Sequence, residues 1–250
     1  MPKHINSASR LFTISEKVAA ARDDTPTLEA WADIFGLAQE KASAVEVCRR
    51  LIWVNEEIDT MVAQMSATHF SEHLYQKPAK AMRNAAAPNS INGQVRGIKG
   101  ACTQSVRNGL EYCAEALPDE EAPVDVATIQ AMRELVQVLR ELASSSEIPV
   151  HLVQVVQRHI DLLQQALDAL PIKGVKALTE AAMSAYGQID HLAKDLRQEP
   201  EAEDVVAKKE VLARLKATWV SVGKVIDASD KARKLLVLGY AGYKALELVT

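Results

Sequence analysis

Two histidines and a glutamate in the first half of the chain have a spacing suited to metal chemistry. His69 and His73 are four residues apart, and Glu72 directly precedes the second histidine. On a continuous helix both imidazoles would lie one turn apart on the same face, where they could bind Zn²⁺ while the carboxylate activates a water molecule. The alternatives are a structural or adventitious metal site, or two polar histidines near the end of an amphipathic helix. We favour the last of these.

The string His69-Phe-Ser-Glu72-His73 resembles the H-x-x-E-H motif of the inverted zinc peptidases. The resemblance implies that the motif lies on a helix and that zinc takes a further acidic ligand from a downstream helix, for which Glu111 and Glu115 are candidates. It covers five residues, and the sequence predicts none of the strands that surround the motif in that fold. We therefore expect no catalytic residue, no metal and no cofactor in this protein.

Other motifs of enzyme chemistry are absent. The glycine-rich stretch 93–100 contains Arg96 and Lys99 and superficially suggests a phosphate-cradling loop, but neither G-x-x-x-x-G-K-[ST] nor G-x-G-x-x-G occurs. The three cysteines have neither C-x-x-C spacing nor a neighbouring histidine, so a zinc or redox site, a disulfide scaffold and an activated thiolate are not expected. A reducing compartment suits such cysteines.

The formal net charge of −4 conceals an uneven distribution. No acidic residue lies between Glu72 and Glu111, whereas six basic residues do, so we expect a basic surface. The six are Lys77, Lys80, Arg83, Arg96, Lys99 and Arg107. Such a surface could bind an acidic partner or the chain's own acidic segment 118–123, could simply be solvated, or could bind nucleic acid. Because only Phe70 and Tyr75 are nearby to stack on bases, nucleic acid is the least favoured.

At the end of the sequence, cationic residues precede an uninterrupted apolar run from Leu235 to Tyr243. A helix needs about 20 apolar residues to cross a bilayer, so this run cannot span one as a simple helix. The candidate contact residues, for a membrane interface or a partner helix, are Lys231, Arg233, Lys234, Leu235, Leu236, Leu238, Tyr240 and Tyr243. We expect a buried terminal helix that closes a bundle, with peripheral membrane contact as the alternative.

These candidate groups must be positioned by helices. Apolar residues recur at spacings of three and four along almost the whole chain, which predicts an all-α, multi-helix bundle of about eight to ten helices. Aromatic residues make up only 4% of the sequence, which disfavours strands. We predict helical lobes at 1–117 and 126–250 joined by an acidic, proline-bounded hinge at 118–125, although both lobes could pack as one domain. The short predicted loops imply mostly antiparallel neighbours.

Two segments carry specific packing predictions. A heptad seam is predicted at Ala44, Cys48, Leu51, Asn55, Ile58, Val62 and Met65, and Val45, Ile52 and Met61 would widen it. A helix is also predicted from Asn89 to Leu117, with small residues that would allow close approach of another helix. These are Gly93, Gly97, Ala101, Ser105 and Gly109. Alternatively, 90–100 is a loop and the helix begins after Gly100.

The features together predict a non-enzymatic helical protein from a bacterium that acts as a regulatory or assembly module. It would bind another protein or associate with itself. The first residues lack the apolar core of a secretory signal, so we expect a cytoplasmic location. The alternative is a membrane-acting effector that uses the C-terminal segment, and a minor alternative is a metal-dependent hydrolase at His69, Glu72 and His73.

Overall fold

The computed structural model describes residues 4–38, 43–198 and 204–229. Within these ranges the chain forms α-helices, one short 3-10 helix (Pro88–Asn92) and no strand, which confirms the predicted all-α class. The helices are α1 (Ser7–Ala20), α2 (Thr27–Ile34), α3 (Ala44–Ser66), α4 (Glu72–Ala85), α5 (Val95–Lys99), α6 (Gln104–Ala116), α7 (Val126–Ala143), α8 (Val150–Lys173), α9 (Lys176–Gln198) and α10 (Val205–Ser229).

The chain divides into two compact units. The first contains residues 1–120 together with 171–173, and the second contains 121–170 together with 174–250. The boundary after residue 120 falls inside the segment 118–125 that we predict to be a hinge. The short stretch 171–173 belongs to the first unit, although it lies within the sequence of the predicted second lobe.

Helices α1, α3, α4 and α6 pack together around the core of the first unit. The three- and four-residue spacing of Leu11, Ile14 and Val18 buries one face of α1, as the sequence predicts. Asn6 caps this helix, because its side chain accepts a hydrogen bond from the backbone N–H of Ser9 at 3.0 Å. The same side chain donates to the carbonyl of Ala114 at 2.9 Å, so the cap also fixes α1 against the end of α6.

The buried stripe of α3 agrees with the predicted heptad seam at Leu51, Ile58 and Met65, but the other four seam residues are not fully buried. Its buried residues are Val47, Arg50, Leu51, Val54, Glu57, Ile58, Met61 and Met65. Val45 and Ile52, which we predicted to widen the buried stripe, are exposed. The reason is that Arg50 and Glu57 occupy core positions, where each is neutralised by an ion pair with an oppositely charged side chain. Hydrophobic periodicity alone assigns such residues to the outside.

The continuous helix predicted from Asn89 to Leu117 is wrong, and the alternative loop up to Gly100 is nearer to the structure. The 3-10 helix and the short α5 occupy this region, and α6 begins after Thr103, whose hydroxyl accepts from the N–H of Val106. The small residues therefore do not share one helix face. Of the three glycines in this set, only Gly109 is closely approached by another helix, because a β-carbon there would lie 3.1 Å from Pro78 Cγ in α4.

Helices α7 to α10 form the second unit, and α10 packs against α7 and α9. The repeated apolar spacing and the PIKG sequence at 171–174 predict a short loop beginning at Pro171, but α8 continues through this proline to Lys173. The chain turns at Gly174, whose φ of 63° is readily adopted by glycine. None of the helices in the described ranges combines the length and apolar character needed to cross a bilayer.

Candidate functional site

The residues of the predicted metal site do not come together as the sequence motif implies. Ser71 is the N-cap of α4, so Glu72 and His73 lie in its first turn while His69 precedes the helix. The one-turn spacing of the two imidazoles therefore does not arise. All three side chains are exposed, and the ring of His69 packs on Phe70 with 4.4 Å between centroids.

The further acidic ligand required by the resemblance is also not in place. Glu111 and Glu115 lie on α6, and a carboxylate oxygen of Glu115 is 3.8 Å from Nε2 of His4. Across the described part of the chain, no group of three or more His, Cys, Asp and Glu side chains could hold a metal ion. The residues present do not fit the zinc site of the inverted zinc peptidases.

The six basic residues of the acid-free stretch fall into two sets. Three form ion pairs: Arg83 with Asp59 at 2.5 Å, Lys99 with Asp23 at 2.5 Å, and Arg107 with Glu16 at 2.7 Å. The other three, Lys77, Lys80 and Arg96, are exposed and form no ion pair with any residue that the structure describes. Acidic residues from other parts of the chain therefore pair with three of the six basic residues, although no acidic residue lies within the stretch itself.

Arg96 lines a polar cleft, and Lys77 and Lys80 lie on a helix face that leads to it. Lys77 and Lys80 lie on the same face of α4 as Asn84, because residues three, four and seven apart on a helix are neighbours. Asn84 forms part of the wall of a cleft of about 560 Å³. Its lining residues are Asn84, Asn89, Ser90, Asn92, Gly93, Gln94, Arg96, Gly97 and Ile98. We call this site, together with Lys77 and Lys80, the amide cleft; none of its lining residues is acidic.

Backbone hydrogen bonds hold the loop that carries Arg96. The N–H of Thr27 donates to the carbonyl of Gly93 at 2.9 Å, and the N–H of Val95 donates to the carbonyl of Thr25 at 3.0 Å. These bonds flank an isolated antiparallel bridge between residues 26 and 94. On the opposite side, the hydroxyl of Ser90 donates to the carbonyl of Ala85 at the end of α4. The lining of the cleft is therefore fixed to α2 and α4.

The chemistry of the amide cleft is that of polar recognition. Asparagine and glutamine side chains both donate and accept hydrogen bonds, so Asn84, Asn89, Asn92 and Gln94 can pair with peptide groups or with carboxylates. A guanidinium such as that of Arg96 can bind a carboxylate through two parallel hydrogen bonds. Together these side chains suit a partner segment that contains acidic residues and exposed backbone.

The acidic segment 118–123 has partners other than the six basic residues. Asp119 accepts from the N–H of Ile5 at 2.9 Å, and Glu120 accepts from the amide of Gln64 at 2.8 Å. Glu120 also pairs with Arg10. Burial opposes ionisation of Glu120, but Arg10 and these hydrogen bonds outweigh it and lower the pKa of the carboxyl. The contacts of Asp119 and Glu120 therefore hold the start of α1 rather than cover the amide cleft.

The neutral residues that line the cleft were not among the binding residues predicted from the sequence. A count of charges records lysine and arginine but ignores amides, although three asparagines and a glutamine lie within 84–94. That local clustering was the available signal. The eight predicted C-terminal contact residues between Lys231 and Tyr243 lie outside the described residues.

The fold and the amide cleft define an all-α protein made of two helical units, one of which carries a polar, partly cationic surface. No family model, curated protein or solved structure matches this chain.

Proposed function

We propose that this protein is a non-enzymatic binding module that recognises an acidic segment of a partner protein through the amide cleft. One observation carries the proposal: Arg96 lines a cleft that has no acidic lining residue, in a protein whose net charge is −4. The exposed Lys77 and Lys80 lie on the helix face that carries Asn84 of the same lining. Local charge of the opposite sign to the whole molecule favours a specific approach direction for an acidic partner. A regulatory or assembly role in the cytoplasm is part of this proposal.

The amides give the site its expected selectivity. Exposed charge pairs contribute little net affinity, typically below about 1 kcal/mol, because water and salt screen them. Hydrogen bonds from Asn89, Asn92 and Gln94 depend on direction, so they favour one orientation of a bound segment. The cations would then accelerate association, while the amides would determine which acidic segment stays bound.

The aromatic residues that lie near the basic stretch in the sequence argue against nucleic acid as the ligand. Tyr75 is buried, and the ring of Phe70 packs against the edge of Tyr112 with 5.4 Å between centroids. Neither ring is among the residues that line the cleft. Single-stranded nucleic acids bind strongly where bases stack on exposed aromatic rings, which this surface does not offer.

A site-specific photo-crosslinker in place of Asn84, expressed in the native host, tests the proposal. The test variant combines Lys77→Glu, Lys80→Glu and Arg96→Glu. The matched control combines Arg133→Glu, Lys209→Glu and Lys224→Glu, which makes the same change of charge at three exposed residues of the second unit.

We expect a protein adduct whose cross-linked peptide is acidic, which is lost in the test variant and kept in the control. With the purified partner, the test variant should bind at least about tenfold more weakly, and added salt should weaken the wild-type complex. Adducts that are the same in all three proteins, or adducts with RNA or DNA, would overturn the proposal.

A further inference from the structure

A groove at one end of the second unit combines acidic and apolar side chains. It has a volume of about 720 Å³ and lies between the start of α8 and the first turns of α10. Glu147 and His151 lie on one side, and Val206 and Glu210 on the other. Val206 is 80% exposed. Val206, with Pro149 and Ala207 of the lining, gives the groove an apolar surface that a partner could cover.

The three carboxylates of this groove differ in whether they form ion pairs. Asp204 accepts hydrogen bonds from Lys208 at 2.9 Å and from the imidazole of His151 at 2.7 Å, so its charge is compensated. Glu147 and Glu210 are exposed and have no ion pair with a described residue. A complementary ligand would therefore present cations to the two glutamates and aliphatic side chains to Val206.

The sequence contains a segment of that composition. Lys231, Arg233 and Lys234 are followed directly by Leu235 and Leu236. The segment begins two residues after Ser229, where α10 ends. Its cations match the two glutamates of the groove in charge, and its leucines match the exposed Val206 in apolar character.

In its own molecule this segment could approach the groove only by folding back along α10 in a fully extended form. Val206 and Ser229 are separated by 23 residues of α10, or about 34 Å at 1.5 Å per residue. Lys234 follows Ser229 by five residues, so its backbone lies within about 18 Å of the helix end even when fully extended. Glu210 is 19 residues, or about 28 Å, from Ser229, so the backbone of an extended Lys234 would still lie about 10 Å short of it. A second copy of this chain can present the whole segment without that extension, and it is the occupant that the proposal names.

We propose that residues 231–238 of one chain bind in this groove of a second copy. Arg233 and Lys234 would pair with Glu147 and Glu210, and the leucines would cover the exposed Val206. Such a head-to-tail contact joins two different surfaces, so it produces rings or open chains rather than a closed two-fold dimer. The inference goes beyond the proposed function, because it uses a surface on the other unit and a partner of different charge.

A charge-swap experiment with the full-length protein tests this inference. The groove variant combines Glu147→Lys and Glu210→Lys, and the tail variant combines Arg233→Glu and Lys234→Glu. A fourth protein carries all four changes, and a control combines Glu134→Lys with Glu141→Lys, two exposed residues of α7. Sedimentation velocity over a range of concentrations measures association, and circular dichroism confirms that each variant is folded.

We expect the wild type and the control to associate in a concentration-dependent manner. The groove and tail variants should each associate at least about tenfold more weakly, since like charges then face each other. Mixing these two variants, or combining all four changes in one chain, should restore association. A synthetic peptide of residues 230–243 should disrupt wild-type association without any substitution.

A wild type that stays monomeric at its highest soluble concentration would overturn the inference. So would association that is equal in all five proteins, or that the four-fold variant fails to restore. Flotation with anionic vesicles tests the remaining interpretation, that this segment binds membranes. If the tail variant loses vesicle binding while the wild type shows no self-association, the segment acts on membranes instead.

Discussion

Trp219 donates a hydrogen bond from Nε1 to Nδ1 of His159 at 3.0 Å, and both side chains are fully buried in the second unit. The bond joins α8 to α10 and requires that Nδ1 carries no proton. Burial lowers the pKa of His159 to about 4, because the imidazolium would lose its hydration. The pair therefore links the stability of the second unit to pH.

We expect protonation of His159 to lower the free energy of unfolding by about 3 kcal/mol as the pH drops from 6.5 towards 4. The sign follows because the unfolded chain takes up a proton on His159 near 6.5, whereas the folded chain does so only near 4. Urea denaturation at several pH values measures the slope. His159→Asn, which keeps an acceptor for Trp219 but does not titrate, should flatten it. His191→Asn, at an exposed position, serves as control, and equal slopes in all three proteins would contradict the assignment.

The buried ion pair of the first unit should be far more sensitive to substitution than an exposed pair. Glu57 is fully buried and accepts from Arg10 Nε at 3.0 Å and Nη2 at 2.7 Å. Glu57→Ala should cost about 3 kcal/mol, because it leaves a buried guanidinium with less compensation. Asp59→Ala, which removes the exposed partner of Arg83, should cost less than about 1 kcal/mol. Urea denaturation compares the two, and similar losses would show that burial does not set the difference.

Two glycines should respond in opposite ways to alanine. Gly174 has a φ of 63°, and a β-carbon there would overlap the carboxylate of Glu121, which accepts from the N–H of Val175 at 2.5 Å. Gly174→Ala should therefore destabilise the protein by about 2 kcal/mol or more. Gly187, within α9, has no atom within 4 Å of such a β-carbon, so Gly187→Ala should stabilise by up to about 1 kcal/mol. Thermal unfolding gives both signs, and a stable Gly174→Ala protein would refute the steric argument.

The three cysteines should differ in reactivity in the folded protein. Burial raises the pKa values of the Cys102 and Cys113 thiols to about 11, although Arg107 opposes the shift at Cys102. Cys48 is only half-buried. Because the thiolate is the reactive form, iodoacetamide near pH 8 should rapidly add one group to the native protein and three in urea. Intact-mass spectrometry counts the adducts. Cys48→Ser should abolish the fast adduct, and rapid native addition of three groups would contradict the prediction.

Zinc content provides a test of the motif at the start of α4. Since His69 precedes the helix that carries His73, the two imidazoles lack the one-turn spacing of a zinc site. Protein purified without a histidine tag should therefore contain the same amount of zinc as its His69→Ala variant. Elemental analysis by mass spectrometry makes the comparison, and selective loss of zinc from the variant would restore the metal-site interpretation.

The sequence by itself determined the class of fold. The spacing of Leu11, Ile14 and Val18 repeats at the period of a helix, so the helical class and the buried face of α1 could be predicted without coordinates. The small residues of 93–109 misled the same reasoning, because their regular spacing resembles a helix face although Thr103 starts a new helix. Local spacing is informative within one helix but does not show where two short elements replace a long one.

Tertiary structure alone decided which charges remain available. Asp59 and Asp23 reach Arg83 and Lys99 from 24 and 76 residues away in sequence, and no count along the chain could pair them. Ion pairing depends on distances of a few ångströms, which are set by helix packing rather than by separation along the chain. The same packing leaves Arg96 beside the amides of the cleft and places Glu57 in the core. The sequence determined which residues could bind, and the packing of the helices decided which of them face solvent.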